Sequence, residues 1–269
     1  MASYRPVTAA LRVLDVLASV SQTTEGATVG DIHRKTKLDK ATIVRMLTTL
    51  AHAGYVVRDY IVREDERIAY RATGKTLQLS AGYDRHTAIS AIVSQDLQEF
   101  RQQIAWPSDV AIFDRDAMIV VDTSRQAEPM QFRRVPGFRA AVLVTSLGLA
   151  YLAHCPETER AEYIALAAQD PNPVNDLARQ PDALHRKLEQ VRRQGYATMD
   201  EMYSRENYHS QFFSIGVPIM TETRIFGSLN IIYLRSALSP DEARDSLLKP
   251  LQTVARKMAT RLAEHSHNK

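Results

Sequence analysis

The chain has 269 residues, of which 45% are hydrophobic and 24% charged, and this composition excludes disordered and fibrous proteins. A chain of this length is expected to form two domains. Its single cysteine, Cys155, excludes an internal disulfide and a cysteine-rich zinc site, and no apolar run approaches the roughly 20 residues that span a bilayer. We therefore expect a cytoplasmic protein without a membrane segment.

The net charge of +3 is unevenly distributed along the chain. Residues 1–80 carry 12 Lys and Arg against 8 Asp and Glu, whereas residues 81–269 carry 22 against 23. A basic excess confined to the N-terminal part is typical of nucleic-acid binding, although a surplus of four charges is also common on an ordinary solvated surface.

Three short helices are predicted before residue 55. Thr28 and Asp39 are candidate N-caps for helices at Val29–Thr36 and Lys40–His52, and Gly54 ends the third helix. Helical spacing also predicts an amphipathic first helix. Its expected core face consists of Val7, Ala10, Leu11, Leu14, Leu17 and Ala18. Two β-rich runs at residues 55–57 and 68–71 flank a charged loop, which predicts a hairpin that forms a wing.

The rest of the chain predicts a linker and a second domain. Apolar spacing between residues 76 and 105 indicates one interrupted and one continuous helix, which would join a domain at 1–75 to one at 106–269. The second domain alternates short β-type runs with helices, as in an antiparallel α+β fold. Its predicted strands lie at 110–113, 118–122, 130–134, 213–219 and 228–234, and its helices at 145–153, 157–168, 181–194 and 240–264.

The third helix has the features of a DNA-recognition helix. One stripe is apolar, and the opposite face carries short polar side chains and Arg45, which can contact a guanine or clamp a phosphate. A three-helix scaffold with a hairpin also occurs in proteins that do not bind DNA, so the pattern leaves both possibilities open. The predicted DNA contacts are Thr28, Lys40, Ala41, Thr42, Arg45 and Thr49, with Arg58, Arg63 and Arg67 of the wing on the phosphate backbone or in the minor groove.

Several segments of the sequence resemble the IclR family of regulators. They are VTAALRVLDVL at 7–17, TVGDI at 28–32, KATIVRMLTTLAHAGYV at 40–56, TSLGLAYLA at 145–153, SIGVPI at 214–219 and FGSLNI at 226–231. The resemblance implies a winged helix-turn-helix joined by a linker helix to a GAF-like antiparallel α+β effector domain. It also implies a homodimer or tetramer that binds double-stranded DNA at a partly palindromic operator.

The resemblance also implies where a small-molecule effector binds. By position, the family's effector site corresponds to Ser146, Gly148, Ser214, Asn230 and Ile232. Asn230 lies in an apolar run, where an amide without a partner is costly. It therefore binds the ligand, or it bonds to a neighbouring backbone group or water; both interpretations stay open.

The class of effector is suggested by two further segments. WPSDV at 106–110 and AHCPE at 153–157 most resemble the activators of aromatic-acid breakdown, of the 3-hydroxyphenylpropionate regulator type. Gly195-Tyr196 is not followed by the acidic run found in family members that bind small keto acids. Trp106, Met130, Phe132, Met202 and Tyr203 suit an aromatic ligand, with Arg134, Arg133 or His209 as partner of its carboxylate, although each is also an ordinary core or surface residue type.

These observations predict a ligand-responsive DNA-binding regulator of an aromatic-acid degradation operon, and the resemblance to activators of aromatic-acid breakdown favours an activator. The alternative is an IclR-type repressor that senses a small keto acid or another non-aromatic metabolite. An enzyme is not expected, because His154 and Cys155 are adjacent on a helix and point about 100 degrees apart. We expect no cofactor and no metal, since His265 and His267 lie at a terminus that is expected to fray.

Overall fold

The computed structural model describes residues 5–23, 26–61, 67–81, 85–104, 106–124 and 135–267. The chain divides into two compact units, unit 1 at residues 1–84 and unit 2 at residues 85–269. Within the described ranges, no helix combines the length and the apolar character that crossing a membrane requires.

Unit 1 is a three-helix domain with a small sheet. Its helices are α1 (Thr8–Ser21), α2 (Val29–Thr36) and α3 (Lys40–His52). Its strands are β1 (Ala27–Thr28), β2 (Val56–Ile61) and β3 (Arg67–Ala72), which pair antiparallel in the order β1-β3-β2. A 3-10 helix at Gly74–Ser80 follows. The bounds predicted for α2 and α3 are confirmed, and the β2–β3 hairpin is the predicted wing.

Both predicted N-caps form. The Thr28 hydroxyl accepts a hydrogen bond from the Asp31 backbone N–H at 3.2 Å, and the Asp31 carboxylate accepts one from the Thr28 backbone N–H at 2.9 Å. Asp39 caps α3 by accepting from the Thr42 backbone N–H at 2.9 Å. Lys37 takes the left-handed conformation, with φ of 58°, and ends α2.

The core of unit 1 uses a different face of α1 from the predicted one. Val16, Leu17 and Val20 are buried, whereas Val7, Leu11 and Leu14 are 70%, 51% and 59% exposed. Ala10 and Ala18 are exposed as well. The prediction is confirmed for Leu17. It was wrong for the other five residues because α1 is apolar on two sides, and α2, α3 and β3 cover only one of them.

Unit 2 is built on a six-stranded antiparallel sheet in the order β6-β5-β4-β9-β8-β7. The strands are β4 (Ser108–Asp114), β5 (Ala117–Thr123), β6 (Arg139–Ala140), β7 (Ala197–Thr198), β8 (Phe212–Met220) and β9 (Ile225–Leu234). The helices are α4 (Arg85–Gln103), α5 (Ser146–Leu152), α6 (Glu157–Gln169), α7 (Pro181–Gln194), α8 (Glu201–Tyr208) and α9 (Pro240–His267), with a 3-10 helix at Pro173–Arg179. The predicted α+β class is confirmed.

The sheet of unit 2 separates two apolar layers. Successive strand residues point to opposite faces, so Val110 and Ile112 pack with α4 and α9, while Ala111 and Phe113 pack with α5 and α6. Short elements such as β6, β7 and α8 had not been predicted, and the strand predicted at 130–134 lies outside the described residues.

Helix α4 packs within unit 2. Val93, Leu97 and Phe100 of α4 are buried in the core that α9 also joins. The segment that the sequence assigned to a linker, residues 76–105, therefore contributes its 3-10 helix to unit 1 and α4 to unit 2.

Candidate nucleic-acid interface and effector site

Helix α3 presents a polar, basic face to solvent. Ile43, Met46, Leu47 and Leu50 are buried, as the apolar stripe predicted. Lys40, Ala41, Arg45 and Thr49 are exposed on the other side, and Thr42 is half-buried at its margin. The cap at Asp39 fixes the first turn, so these side chains project from a well-defined helix N-terminus, as entry into a major groove requires.

Arg45 has a basic neighbour that the sequence did not indicate. Arg12 and Val13 of α1 line a shallow groove of about 320 Å³ together with Thr42 and Arg45 of α3. Among the described residues, no carboxylate forms an ion pair with Arg12 or Arg45. Two such guanidinium groups at one groove raise the local positive potential.

The threonines of this surface are engaged within unit 1. The Thr42 hydroxyl bonds to the Asp39 carboxylate, and the Thr49 hydroxyl donates to the Arg45 carbonyl at 3.0 Å. The bonds from Thr42 hold the pKa of Asp39 below its ordinary value. Thr28 is likewise used in the α2 cap. These hydroxyls can still accept hydrogen bonds, but the freely available charges are those of Lys40 and the two arginines.

The wing is only partly described. Arg58 of β2 is exposed, and Arg71 of β3 forms an ion pair with Asp59 across the hairpin. Arg67 begins β3, but its side chain and the whole of Arg63 lie outside the described residues.

Val44 is a further exposed residue of α3 that was not among the predicted contacts. It is 43% exposed and lies beside Arg45, with exposed Thr48 one turn further on. Only polar residues had been assigned to this face, although an apolar side chain on a recognition helix can contact a thymine methyl group. The signal available in the sequence was the helical angle, which places Val44 away from the Ile43–Leu47–Leu50 stripe.

In unit 2, a polar cluster lies between the sheet and α5. The Oγ atoms of Ser146, the first residue of α5, and Ser214 on β8 are 2.7 Å apart, and both residues are buried. Gly216, two residues along β8, faces Ser146 so closely that a Cβ atom there would lie 2.7 Å from the Ser146 carbonyl oxygen. Helix α5 therefore rests directly on β8.

Asn230 belongs to the same face of the sheet, because it pairs with Gly216 on one side and Asp109 on the other. Its Oδ1 accepts a hydrogen bond from the Asp109 backbone N–H at 3.0 Å. The amide oxygen thus has the neighbouring-backbone partner that one of the two interpretations expected. Ile232 lies beside Ser214 in the pairing register.

Asp109 is a buried carboxylate that had not been singled out. It is fully buried, and it accepts a hydrogen bond from the Thr123 hydroxyl at 2.6 Å. On the same face the Oγ of Ser228, also fully buried, has no hydrogen-bond partner among the described residues. A row of buried polar groups of this kind marks a place where a polar ligand can bind.

The other residues predicted to bind the effector are spread over unit 2. Trp106 packs edge-on against Tyr233, at 6.5 Å between ring centroids, on the α4 and α9 side of the sheet. Tyr203 packs on Tyr208 at 6.0 Å, and Met202 is 59% exposed. His209 ends α8 in the left-handed conformation. Met130, Phe132, Arg133 and Arg134 lie outside the described residues.

Cys155 and His154 do not form a catalytic pair. The Cys155 thiol donates to the Leu152 carbonyl, and burial raises its pKa to about 11, so the nucleophilic thiolate is scarce at neutral pH. His154 uses Nδ1 to bond to the Ala150 carbonyl at 3.0 Å. Within the described part of the chain, no group of three His, Cys, Asp or Glu side chains is placed to hold a metal ion.

A capped helix-turn-helix with a basic exposed face, followed by an α+β unit with a buried polar cluster, defines a DNA-binding transcription regulator with a separate sensor domain. A family model for the IclR helix-turn-helix domain matches residues 9–60, and one for the C-terminal part of bacterial IclR transcriptional regulators matches residues 81–260. The chain belongs to the IclR family of ligand-responsive transcription regulators. These families are regulators, not enzymes.

Individual relatives are distant, and each match covers about 95% of this chain. The Pca regulon regulatory protein of Pseudomonas putida is 23% identical over 261 residues, which is 95% of this chain and 84% of that protein. The structure of an IclR family regulator from Brucella abortus is 23% identical, with a TM-score of 0.60, over 95% of this chain and 93% of that one. An IclR homolog from Microbacterium hydrocarbonoxydans, solved with 4-hydroxybenzoate, is 19% identical, with a TM-score of 0.61, over 95% and 99%. These likenesses show a shared fold.

Proposed function

We propose that this regulator controls an aromatic-acid degradation operon in the cytoplasm and that an aromatic carboxylate is its effector. The polar cluster formed by Ser146, Ser214, Asp109 and Asn230 carries the sensor part of the proposal. Two relatives support the ligand class, since one is named for the Pca regulon and another was solved with 4-hydroxybenzoate.

On DNA, α3 enters the major groove. Lys40, Ala41, Thr42 and Arg45 reach base edges and phosphates from its N-terminal half, with Thr49 further along the same face. Val44 supplies an apolar contact, and Arg12 adds a phosphate contact from α1. Thr28 would contact DNA through its backbone, since its side chain is the N-cap of α2. The wing residues Arg58, Arg63 and Arg67 would bind the phosphate backbone.

Two copies act together on a partly palindromic operator. One recognition helix covers too few base pairs to specify a genomic site, so pairing is needed for specificity. Val7, Leu11 and Leu14 form an exposed apolar stripe at helical spacing on α1, and this stripe supports pairing through unit 1. A dimer or a pair of dimers is consistent with this surface.

The effector acts by favouring one arrangement of the paired DNA-binding units. Linkage requires that the ligand bind one arrangement more tightly than the other. Helix α4 is the first element of unit 2 and packs against α9, so a shift of the sheet on ligand binding is transmitted to the start of unit 2. A ligand that binds but changes neither operator affinity nor promoter activity contradicts this mechanism.

Thermal unfolding against a panel of hydroxybenzoates, phenylpropionates, cinnamates and small keto acids tests the effector class. A ligand at 100 times its Kd adds about 2.7 kcal/mol, and each kcal/mol raises the midpoint by roughly 2 to 4 °C in a chain of this size. Shifts with aromatic acids support the proposal, whereas shifts with keto acids alone favour the non-aromatic alternative.

Ser214→Ala tests the position of the site. Removing this hydroxyl should abolish most of the ligand-induced shift, because it belongs to the buried cluster. Ser94→Ala, on the exposed side of α4, is the matched control and should respond like the wild type. An unchanged response in Ser214→Ala would place the effector elsewhere.

A further inference from the structure

Unit 2 has a groove at the opposite end of the sheet from the polar cluster. The groove lies at the β8–β9 turn, between the α4 and α9 helices on one side and the α5–α6 junction on the other, and its volume is about 670 Å³. Ser214 lies near the other end of β8, and Asn230 lies near the middle of β9. The volume lies in the range of small-molecule sites, which is roughly 300 to 1,000 Å³.

Part of the wall of this groove is apolar, and the rest is polar and includes Glu222 and Thr223 of the turn. Ile92 of α4, Leu262 of α9, Met220 of β8 and Phe226 of β9 all line it. Burying these side chains against an apolar or aromatic ligand is favourable because it removes apolar surface from water. A thioether such as that of Met220 also packs well against an aromatic ring.

One end of the groove carries a cation. The Arg224 guanidinium lies over the Phe226 ring, 4.9 Å from its centroid, and among the described residues no carboxylate forms an ion pair with it. The turn that presents Arg224 is fixed, because the Arg224 N–H donates to the Thr221 hydroxyl and the Thr221 N–H donates to the Arg224 carbonyl. A guanidinium held in this way can take a carboxylate in two parallel hydrogen bonds.

The other end carries hydrogen-bond acceptors. Since a carbonyl only accepts, His154 donates from Nδ1 to the Ala150 carbonyl, and burial lowers the pKa of His154 so that the ring is neutral. Its Nε2 is then an acceptor. Glu159 lines the same end and is held by a hydrogen bond from the Tyr151 hydroxyl at 2.7 Å. A ligand hydroxyl group can donate to either of them.

We infer that this groove is a second small-molecule site, which binds an aromatic or apolar carboxylate with its acid group on Arg224 and its ring between Met220, Phe226 and Leu262. A hydroxyl group on the ring would donate to His154 or Glu159 at the α5–α6 junction, so hydroxylated acids should bind more tightly than unsubstituted ones. The inference does not depend on the effector occupying the polar cluster, because none of the groove residues belongs to that cluster.

Photolabelling of the full-length protein with 4-azidobenzoate locates the bound probe directly. We expect covalent label that fragmentation of the peptides assigns to residues of the Met220–Phe226 turn or the Tyr151–Glu159 segment, with saturation at rising probe concentration. Label assigned only to Ser146, Ser214 and the residues next to them, with none on the turn or on Tyr151–Glu159, overturns the inference.

Arg224→Gln supplies the second readout. Its side chain is exposed, so the variant is expected to keep the wild-type unfolding midpoint, and labelling of the turn at sub-saturating probe should fall about tenfold through loss of one charge-assisted contact. Arg186→Gln, an exposed arginine on α7, is the matched control and should label like the wild type. Equal labelling of Arg224→Gln and the wild type contradicts the site.

Two measurements keep this inference separate from the proposed function. Operator binding without any ligand tests the DNA-binding role, and label assigned by fragmentation to Ser146, Ser214 or their immediate neighbours tests the polar cluster. If the protein does not bind the operator, or if the polar cluster is not labelled, labelling of the turn and its dependence on Arg224 still test the second site.

Discussion

Asp96 of α4 and Lys257 of α9 form an ion pair, with 2.8 Å between Oδ1 and Nζ. The Asp96 side chain is fully buried, and its other oxygen lies 3.1 Å from Nε of Arg261, one turn further along α9. Burying a carboxylate is costly unless cations compensate it. The two helices are therefore fixed in register by charge as well as by their apolar contacts.

Asp96→Asn should destabilise unit 2 by about 1.5 to 3 kcal/mol, the range for hydrogen bonds to charged groups, because the two cations left behind are partly exposed and regain water. The measurement is urea unfolding. Glu99→Gln removes an exposed carboxylate that binds the same Lys257, and it should change the unfolding midpoint little. An equal loss of unfolding free energy in both variants would mean that the buried Asp96 ion pair contributes no more stability than the exposed one.

Arg45→Ala should weaken binding to the cognate operator by about 1 to 3 kcal/mol, measured by fluorescence anisotropy at fixed salt. The reason is the loss of a base or phosphate contact from the exposed face of α3. Arg186→Ala in unit 2 is the control and should bind like the wild type. Wild-type affinity in Arg45→Ala would show that α3 meets DNA in another register.

Thr28→Ala should lower the stability of unit 1 by about 1 kcal/mol through loss of the α2 cap, whereas Thr28→Ser keeps the hydroxyl and the stability. Burial raises the pKa of Asp31, but hydrogen bonds from Thr28 and the charges of Arg34 and Lys35 outweigh it, so that pKa lies below 3.8.

The pH dependence of that cap follows from the lowered pKa of Asp31. A carboxyl group with a lowered folded-state pKa contributes stability above its ordinary pKa and loses it as the pH falls through the folded value. The stability difference between wild type and Thr28→Ala should therefore be full at pH 7 and shrink below about pH 3.8. A difference that stays constant down to pH 2 contradicts the capping box.

Cys155 should react slowly with iodoacetamide in the native protein, as measured by mass spectrometry. Raising its pKa from 9.0 to about 11 lowers the thiolate fraction at pH 8 about 100-fold, and burial lowers the rate further. The same protein in urea is the control and should react at the rate of an ordinary thiol. Rapid native alkylation would mean that Cys155 is exposed.

Local signals predicted unit 1 well. The caps at Thr28 and Asp39 and the glycine after α3 are short-range features, so the bounds of α2 and α3 followed from the sequence. The face of α1 did not follow, because both sides of that helix are apolar and only tertiary packing selects between Val16 and Leu11.

The candidate effector site was predictable only in part. The resemblance assigned Ser146, Ser214 and Asn230 to one site. In the structure Ser146 of α5 lies against the face of the sheet to which Ser214 and Asn230 belong. Trp106 could not be placed from its type, because an aromatic residue suits a core as well as a pocket. Asp109 was missed because its burial depends on the pairing of β4 with β9, which links residues about 120 positions apart.

Gly148 shows how closely α5 is held. A Cβ atom at this position would lie 2.1 Å from the Val142 carbonyl oxygen, a backbone atom that has no side-chain freedom to move aside. In a library containing every amino acid at each position, the neighbouring Leu149 should accept other apolar residues of similar volume. At position 148 only glycine should be recovered among folded variants. A position that tolerates no other residue would reveal the backbone contact without any structure.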